Sequence, residues 1–146
     1  MSNDFVEFTS ASVIVPASPP ETWRVLTNDT GTIFMGATFH TTWRQGDALV
    51  FEGDWQGNTY RDHGVLVTVD PDRQLQFTQF SSMSGKADAP ENYDLVTFDL
   101  SPEDQQTRVD LRLAKPAGVT PPPPEQIKTL TANLDLILDN LRRLVL

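Results

Sequence analysis

Few groups in this 146-residue chain are able to do chemistry. It has two histidines, His40 and His63, and no cysteine. A zinc centre needs three or four converging ligands, mostly imidazole or thiolate. The strand parities read below put the two imidazoles on opposite faces, so the sequence indicates no metal. No glycine-rich loop follows a strand and opens a helix, which removes the usual phosphate and dinucleotide cradles, and no Gly-x-Ser-x-Gly turn offers a serine for acyl transfer. No cofactor is implied. His63 is the one candidate for catalysis. It shares its parity with Val65 and Val67, which are read as facing inward, and Arg61 stands two residues before it on the same side. Imidazole is the side chain that changes charge nearest neutrality, so a histidine at a pocket rim could orient or protonate a ligand. The competing reading is that Arg61 and His63 reach solvent near a strand end.

A second set is apolar. Phe39, Trp43, Phe51, Trp55, Phe77 and Phe98 recur at strand spacing and are assigned to one inner face, where Leu130, Leu134 and Ile137 of a long helix would meet them. Such aromatics are usually core. Where a few of them border a void, they favour a planar or aliphatic guest, because rings give much contact area for little entropy. The carboxylates Glu52, Asp54, Asp62, Asp70 and Asp72 fall on the opposite parity or in turns and read as the solvated face.

These side chains need elements to position them. Ile127, Leu130, Leu134, Ile137, Leu138, Leu141, Leu144 and Val145 fall at spacings of three and four, one side of a helix that opens after a proline run. Pro124 suits a first turn, Glu125 suits the positive end of the dipole, and Arg142 and Arg143 suit the negative end. Upstream, Phe5 to Val15 reads as a first strand. Ser18-Pro19-Pro20-Glu21 has capping-box spacing and opens a short helix through Trp23, Val25 and Leu26, with a second broken turn at Asn28 to Gly36. From Phe39 the period is two. Short turns at Gln45-Gly46-Asp47, Gln56-Gly57-Asn58, Asp70-Pro71-Asp72 and Pro102 to Gln106 join antiparallel neighbours. Ser81 to Asn92 is the one long irregular stretch, as functional lids and mobile loops often are.

The reading is an α+β fold in a single domain, residues 1–146. A curved antiparallel sheet of six to seven strands wraps a long C-terminal helix, with two short helices after the first strand. Side chains between a curved sheet and one crossing helix often leave the middle unfilled. The formal charge of −9 argues against nucleic acid and anionic membranes, whose partners neutralise phosphate. No leader and no long apolar run is present, so the expectation is a cytoplasmic protein.

Several motifs occur in a fixed order: the turn Trp43-Arg44-Gln45-Gly46, Gly64 within a strand, the Asp70-Pro71 turn closing on Leu75 and Phe77, then Pro90-Glu91-Asn92-Tyr93 and Val96-Thr97-Phe98. In that order they resemble the domain family named for activators of the heat-shock protein 90 ATPase. That family sits within the helix-grip superfamily, which includes START lipid-transfer domains and polyketide cyclases. The resemblance spans nearly the whole chain and implies the helix-grip fold. The chain departs from the family at the last helix, where a Trp often follows Asn and here Leu134 follows Asn133. A smaller side chain there would enlarge or reshape a cavity.

Three functions stay open. The first is binding of a small hydrophobic molecule between sheet and helix. The second is an enzyme of cyclase, dehydratase or hydrolase type using the same cavity, as some relatives are. The third is a chaperone-interaction module, for which the chain lacks the extra N-terminal domain of the eukaryotic co-chaperones. A homodimer through an edge strand or hairpin is also left open.

Overall fold

The computed structural model describes residues 4–82 and 84–146, and of Trp55 only the backbone. In chain order the elements are β1 (Phe5–Val15), α1 (Pro19–Asn28), α2 (Thr30–Ile33), β2 (Thr38–His40), β3 (Ala48–Trp55) and β4 (Asn58–Asp70). They continue with β5 (Gln74–Gln79), a 3-10 turn at Pro90–Asn92, β6 (Asp94–Glu103), β7 (Gln106–Pro116) and α3 (Pro124–Leu144). Among the described residues the strands form one antiparallel seven-stranded sheet in the order β1-β7-β6-β5-β4-β3-β2. The meander runs from β2 to β7, and β1 returns to pair with β7, so that β1 and β2 are the two edge strands. No helix among the described residues is long and apolar enough to cross a membrane.

The terminal helix follows its sequence signals. Pro124 occupies the first turn with Glu125, while Arg142 and Arg143 in the last turn both reach Asp139, each at 2.9 Å. Leu134, Leu138 and Leu141 are buried, each contributing about 1.5–3 kcal/mol of gross transfer free energy, and Leu130, Ile137 and Val145 pack at the margin. Leu144, counted with the stripe, is exposed instead. Two polar contacts fix where the helix lies. Thr131 Oγ1 meets Thr9 Oγ1 of β1, and Asn140 Nδ2 donates to the Ile33 carbonyl of α2 at 3.2 Å. At α1, Ser18 Oγ accepts from the Glu21 amide at 3.4 Å, but the Glu21 carboxylate turns to Arg24, so only half of the capping box forms.

The core lies between the sheet and α3. Phe77, Phe98, Leu66, Leu75, Leu111 and Leu138 are fully buried there, and Val25 and Leu26 of α1 close one end.

Three sequence expectations are corrected. On β4 the inward residues are Asp62, Gly64 and Leu66, while Val65 and Val67 are 43% and 41% exposed on the outer face. Arg61 and His63 share that outer parity. The cause is an irregularity in pairing with β5: Leu66 opposes Phe77, Thr68 opposes Gln76 and Val69 opposes Leu75, so the register shifts between Leu66 and Thr68. A bulge inserts one residue and reverses parity. Counting back in twos from the core residue Val69 therefore selects the wrong face.

Second, His40 and His63 do not lie on opposite faces. His40 pairs with Val50, which pairs with His63, so the two imidazoles occupy one outer row. Third, the strand holding Phe39 ends at His40. Arg44 N donates to Thr42 Oγ1 at 3.1 Å, Thr42 Oγ1 donates to Asp47 Oδ2 at 2.5 Å, and Trp43 takes a left-handed φ of 61°. Trp43 still packs on the core, with its ring 6.3 Å from that of Phe39.

Candidate functional site

One row across three strands sets the site. Phe39 of β2 opposes Phe51 of β3, which opposes Asp62 of β4, all on the inner face. The rings continue the row: Phe39 is edge-on to Phe51 (4.6 Å) and to Phe77 (5.5 Å) and stacks on Phe34 (4.3 Å). Such arrangements satisfy the ring quadrupoles and hold the rings rigidly. Above them the helix crosses, and the two layers leave a cavity of about 210 Å³.

Of the residues chosen from sequence, Phe39, Phe51, Phe77, Leu130, Leu134 and Ile137 line this cavity. Phe98 lies beneath it as core, edge-on to Phe34 at 5.9 Å, and Trp43 lies behind Phe39. The Trp55 side chain lies outside the described residues. Arg61 and His63 are not part of the cavity, because their strand positions point outward.

Sequence reasoning missed the polar wall. Asp62, read as a solvated carboxylate, is only 6% exposed and lines the cavity with Tyr60 and Gln79, while Met35 and Asn133 sit at its rim. Burying a carboxylate is costly unless it is hydrogen-bonded. Ser82, at the start of the 81–92 loop, supplies two donors: its backbone N and its Oγ both donate to Asp62 Oδ1 at 2.8 Å. Among the described residues Oδ2 accepts none. Burial pushes the Tyr60 hydroxyl up, and the nearby Asp62 and Asp54 carboxylates add to that, so the phenol keeps its proton. The direction of Tyr60 is set by its cross-strand neighbour Gly53, whose missing side chain leaves the space that the Tyr60 ring crosses.

A Cβ at Gly64 would lie 1.7 Å from the Thr78 carbonyl oxygen, so β4 and β5 approach here as only glycine allows. Thr78 Oγ1 also accepts from the Val65 amide at 2.9 Å. Gly64 shares the inward parity of Asp62 on β4.

On the outer side, His63 Nε2 lies 2.9 Å from Asp88 Oδ2 and 3.0 Å from the Tyr93 hydroxyl, which donates to Asp88 Oδ1 at 2.5 Å. The 81–92 loop is thus held at both ends by consecutive β4 residues, Asp62 inside and His63 outside. The Tyr93 hydroxyl donating to Asp88 holds that carboxyl below the usual range against the opposing effect of burial, with His63 adding to the lowering. Burial, then Asp88, pushes the Tyr93 hydroxyl up to about 12. No group of three or more His, Asp or Glu among the described residues could hold a metal ion.

Comparison with solved structures agrees with this architecture. The solution structure of ChR145 from Cytophaga hutchinsonii is 25% identical with a TM-score of 0.75, covering 95% of this chain and 94% of that one. Ara h 8.0201 is 12% identical with a TM-score of 0.74 over 97% and 98% of the two chains. CalU16 from Micromonospora echinospora is 17% identical with a TM-score of 0.67 over 99% and 85%. The last two likenesses speak to fold alone. A search of curated protein sequences finds no match. The family model described as Activator of Hsp90 ATPase homolog 1-like protein matches residues 16–145, from the end of β1 through α3, and the chain belongs to that family.

Proposed function

We propose that this protein binds a small hydrophobic or aromatic molecule in the cavity between the sheet and α3. The observation that carries the reading is the space of about 210 Å³ walled by Phe39, Phe51 and Phe77 below and Leu130, Leu134 and Ile137 above, open at the rim formed by Met35 and Asn133. Size narrows the guest. Sites for drug-sized ligands run to about 300–1,000 Å³, whereas an apolar cavity of ~150 Å³ accommodates benzene. A single ring with a short substituent fits, and a long acyl chain or fused polyketide does not fit without expansion.

A second reading, turnover of the bound molecule by cyclase, dehydratase or hydrolase chemistry, uses the same cavity. It is favoured by the placement of Asp62 and Tyr60 in the wall, and it no longer involves His63. Thermal unfolding with a panel of one-ring compounds tests the primary reading. A binder at a hundredfold excess over its Kd should stabilise by about 2.7 kcal/mol. Recovery of the bound compound unchanged supports binding, and recovery of a product supports turnover. No stabilisation across the panel would contradict both.

A further inference from the structure

Resting on the cavity reading, we infer that the ligand carries a hydrogen-bond donor, a hydroxyl or an ammonium, and that Asp62 receives it. A purely apolar cavity has no use for a buried carboxylate. Here one is built into the wall, held in place by Ser82 through both a backbone and a side-chain bond to the same oxygen. Both bonds go to Oδ1, and Oδ2 has no donor among the described residues. A ligand X–H group that bonds to Oδ2 satisfies this acceptor in place of water, at lower cost than any apolar group could.

The surroundings define the rest of the ligand. Phe51 directly opposes Asp62 on the neighbouring strand, and Phe39 opposes Phe51, so a group bonded to Asp62 has aromatic faces beside it. Tyr60, two residues away on the same strand face, offers a protonated hydroxyl at the same wall. The guest is therefore one ring, or an aliphatic body of similar size, ending in a donor. The charge on Asp62 favours an ammonium, and the Tyr60 hydroxyl favours a neutral alcohol or phenol that can also accept. The two sources share one chemistry and differ in the test.

Three near-isosteres separate the outcomes: ethylbenzene, benzyl alcohol and benzylamine, titrated into the full chain by protein-observed NMR. The expectation is that benzyl alcohol or benzylamine binds about tenfold or more tightly than ethylbenzene, although ethylbenzene is the most hydrophobic. Preference for the alcohol names a hydroxyl ligand, and preference for the amine names an ammonium. Asp62→Leu should abolish the preference of the donor compounds over ethylbenzene. Ser82→Ala, which keeps the acceptor, should retain it. Wild-type affinity for ethylbenzene equal to or above that for both donor compounds would overturn donor recognition while leaving the cavity reading intact. Saturable binding of none of the three would overturn both. The wild-type comparison decides the matter even if Asp62→Leu does not fold.

Discussion

Ser82 donates twice to one oxygen of Asp62, from its backbone N and from its Oγ, each at 2.8 Å. These two bonds tie the start of the 81–92 loop to the cavity wall. Ser82→Ala deletes one of the two donors to a buried charged group and should cost about 1.5–3 kcal/mol in urea unfolding. It should also speed hydrogen exchange in the loop more than in the sheet. A loss below about 0.5 kcal/mol would mean that the backbone bond alone fixes Asp62.

The two strand glycines should respond very differently to alanine. At Gly64 the new methyl would meet the backbone oxygen of Thr78 at 1.7 Å, and neither strand can yield without breaking the ladder. Gly64→Ala should therefore destabilise by about 3 kcal/mol or more. At Gly53 the nearest atom is the Tyr60 hydroxyl oxygen at 2.7 Å, the far end of a side chain that can swing. Gly53→Ala should cost about 1 kcal/mol or less and should shift the Tyr60 ring resonances. Equal losses in calorimetry would contradict the close crossing of β4 and β5.

Much of this arrangement is legible in the sequence, and the exceptions have physical causes. The stripe from Leu130 to Leu141 announces α3 because a long helix repeats its period often enough to be unambiguous. Short turns at Asp70-Pro71 and Pro102 to Gln106 announce the meander for a similar reason, since so few connections are compatible with them. The cavity's aromatic wall followed, because Phe39, Phe51 and Phe77 alternate in register with their neighbours. The polar wall did not. The bulge between Leu66 and Thr68 reverses parity within a single strand, so Val65 and Val67 mimic an inner face and Asp62 reads as solvated. Only the glycine at Gly64, two residues beyond Asp62 on the same parity, hinted that this face meets another backbone closely.

The outer fastening of the loop carries a signature in alkali. The chain has two tyrosines, and both hydroxyls are pushed up, Tyr60 chiefly by burial and Tyr93 by burial and Asp88 to about 12. A pKa raised on folding contributes stability that is complete below the unfolded value near ~10 and is lost as pH rises through the folded one. Asp88 runs the other way: its lowered pKa contributes above the ordinary carboxylate range, and the contribution is lost as pH falls below it. The Tyr93–Asp88 bond is therefore intact across the neutral range and loosens at both extremes. Phenolate absorbance should show neither tyrosine ionising at the ordinary value, and Tyr93→Phe should remove the later step. A phenolate step near ~10 in the wild type that Tyr93→Phe removes would contradict the burial of Tyr93 beside Asp88.

Leu134 is the position at which to close the cavity. It is buried, lines the space from the helix side, and follows Asn133, which stands at the rim. Leu134→Trp should fill the void with little loss of stability, because the added ring enters empty space and does not displace packed atoms. Its affinity for any one-ring ligand should fall about tenfold or more. A variant that unfolds early would show the space to be smaller than about 210 Å³.

The central claim is that the interior between sheet and α3 admits a guest. The most direct test is a two-dimensional NMR titration of the wild-type chain with a one-ring compound, following the methyl groups of Val96, Leu130, Leu134 and Ile137 on the inside and of Val65 and Val67 on the outside. The account predicts saturable shifts confined to the inner set. Shifts that never saturate, or that fall on Val65 and Val67, would contradict it.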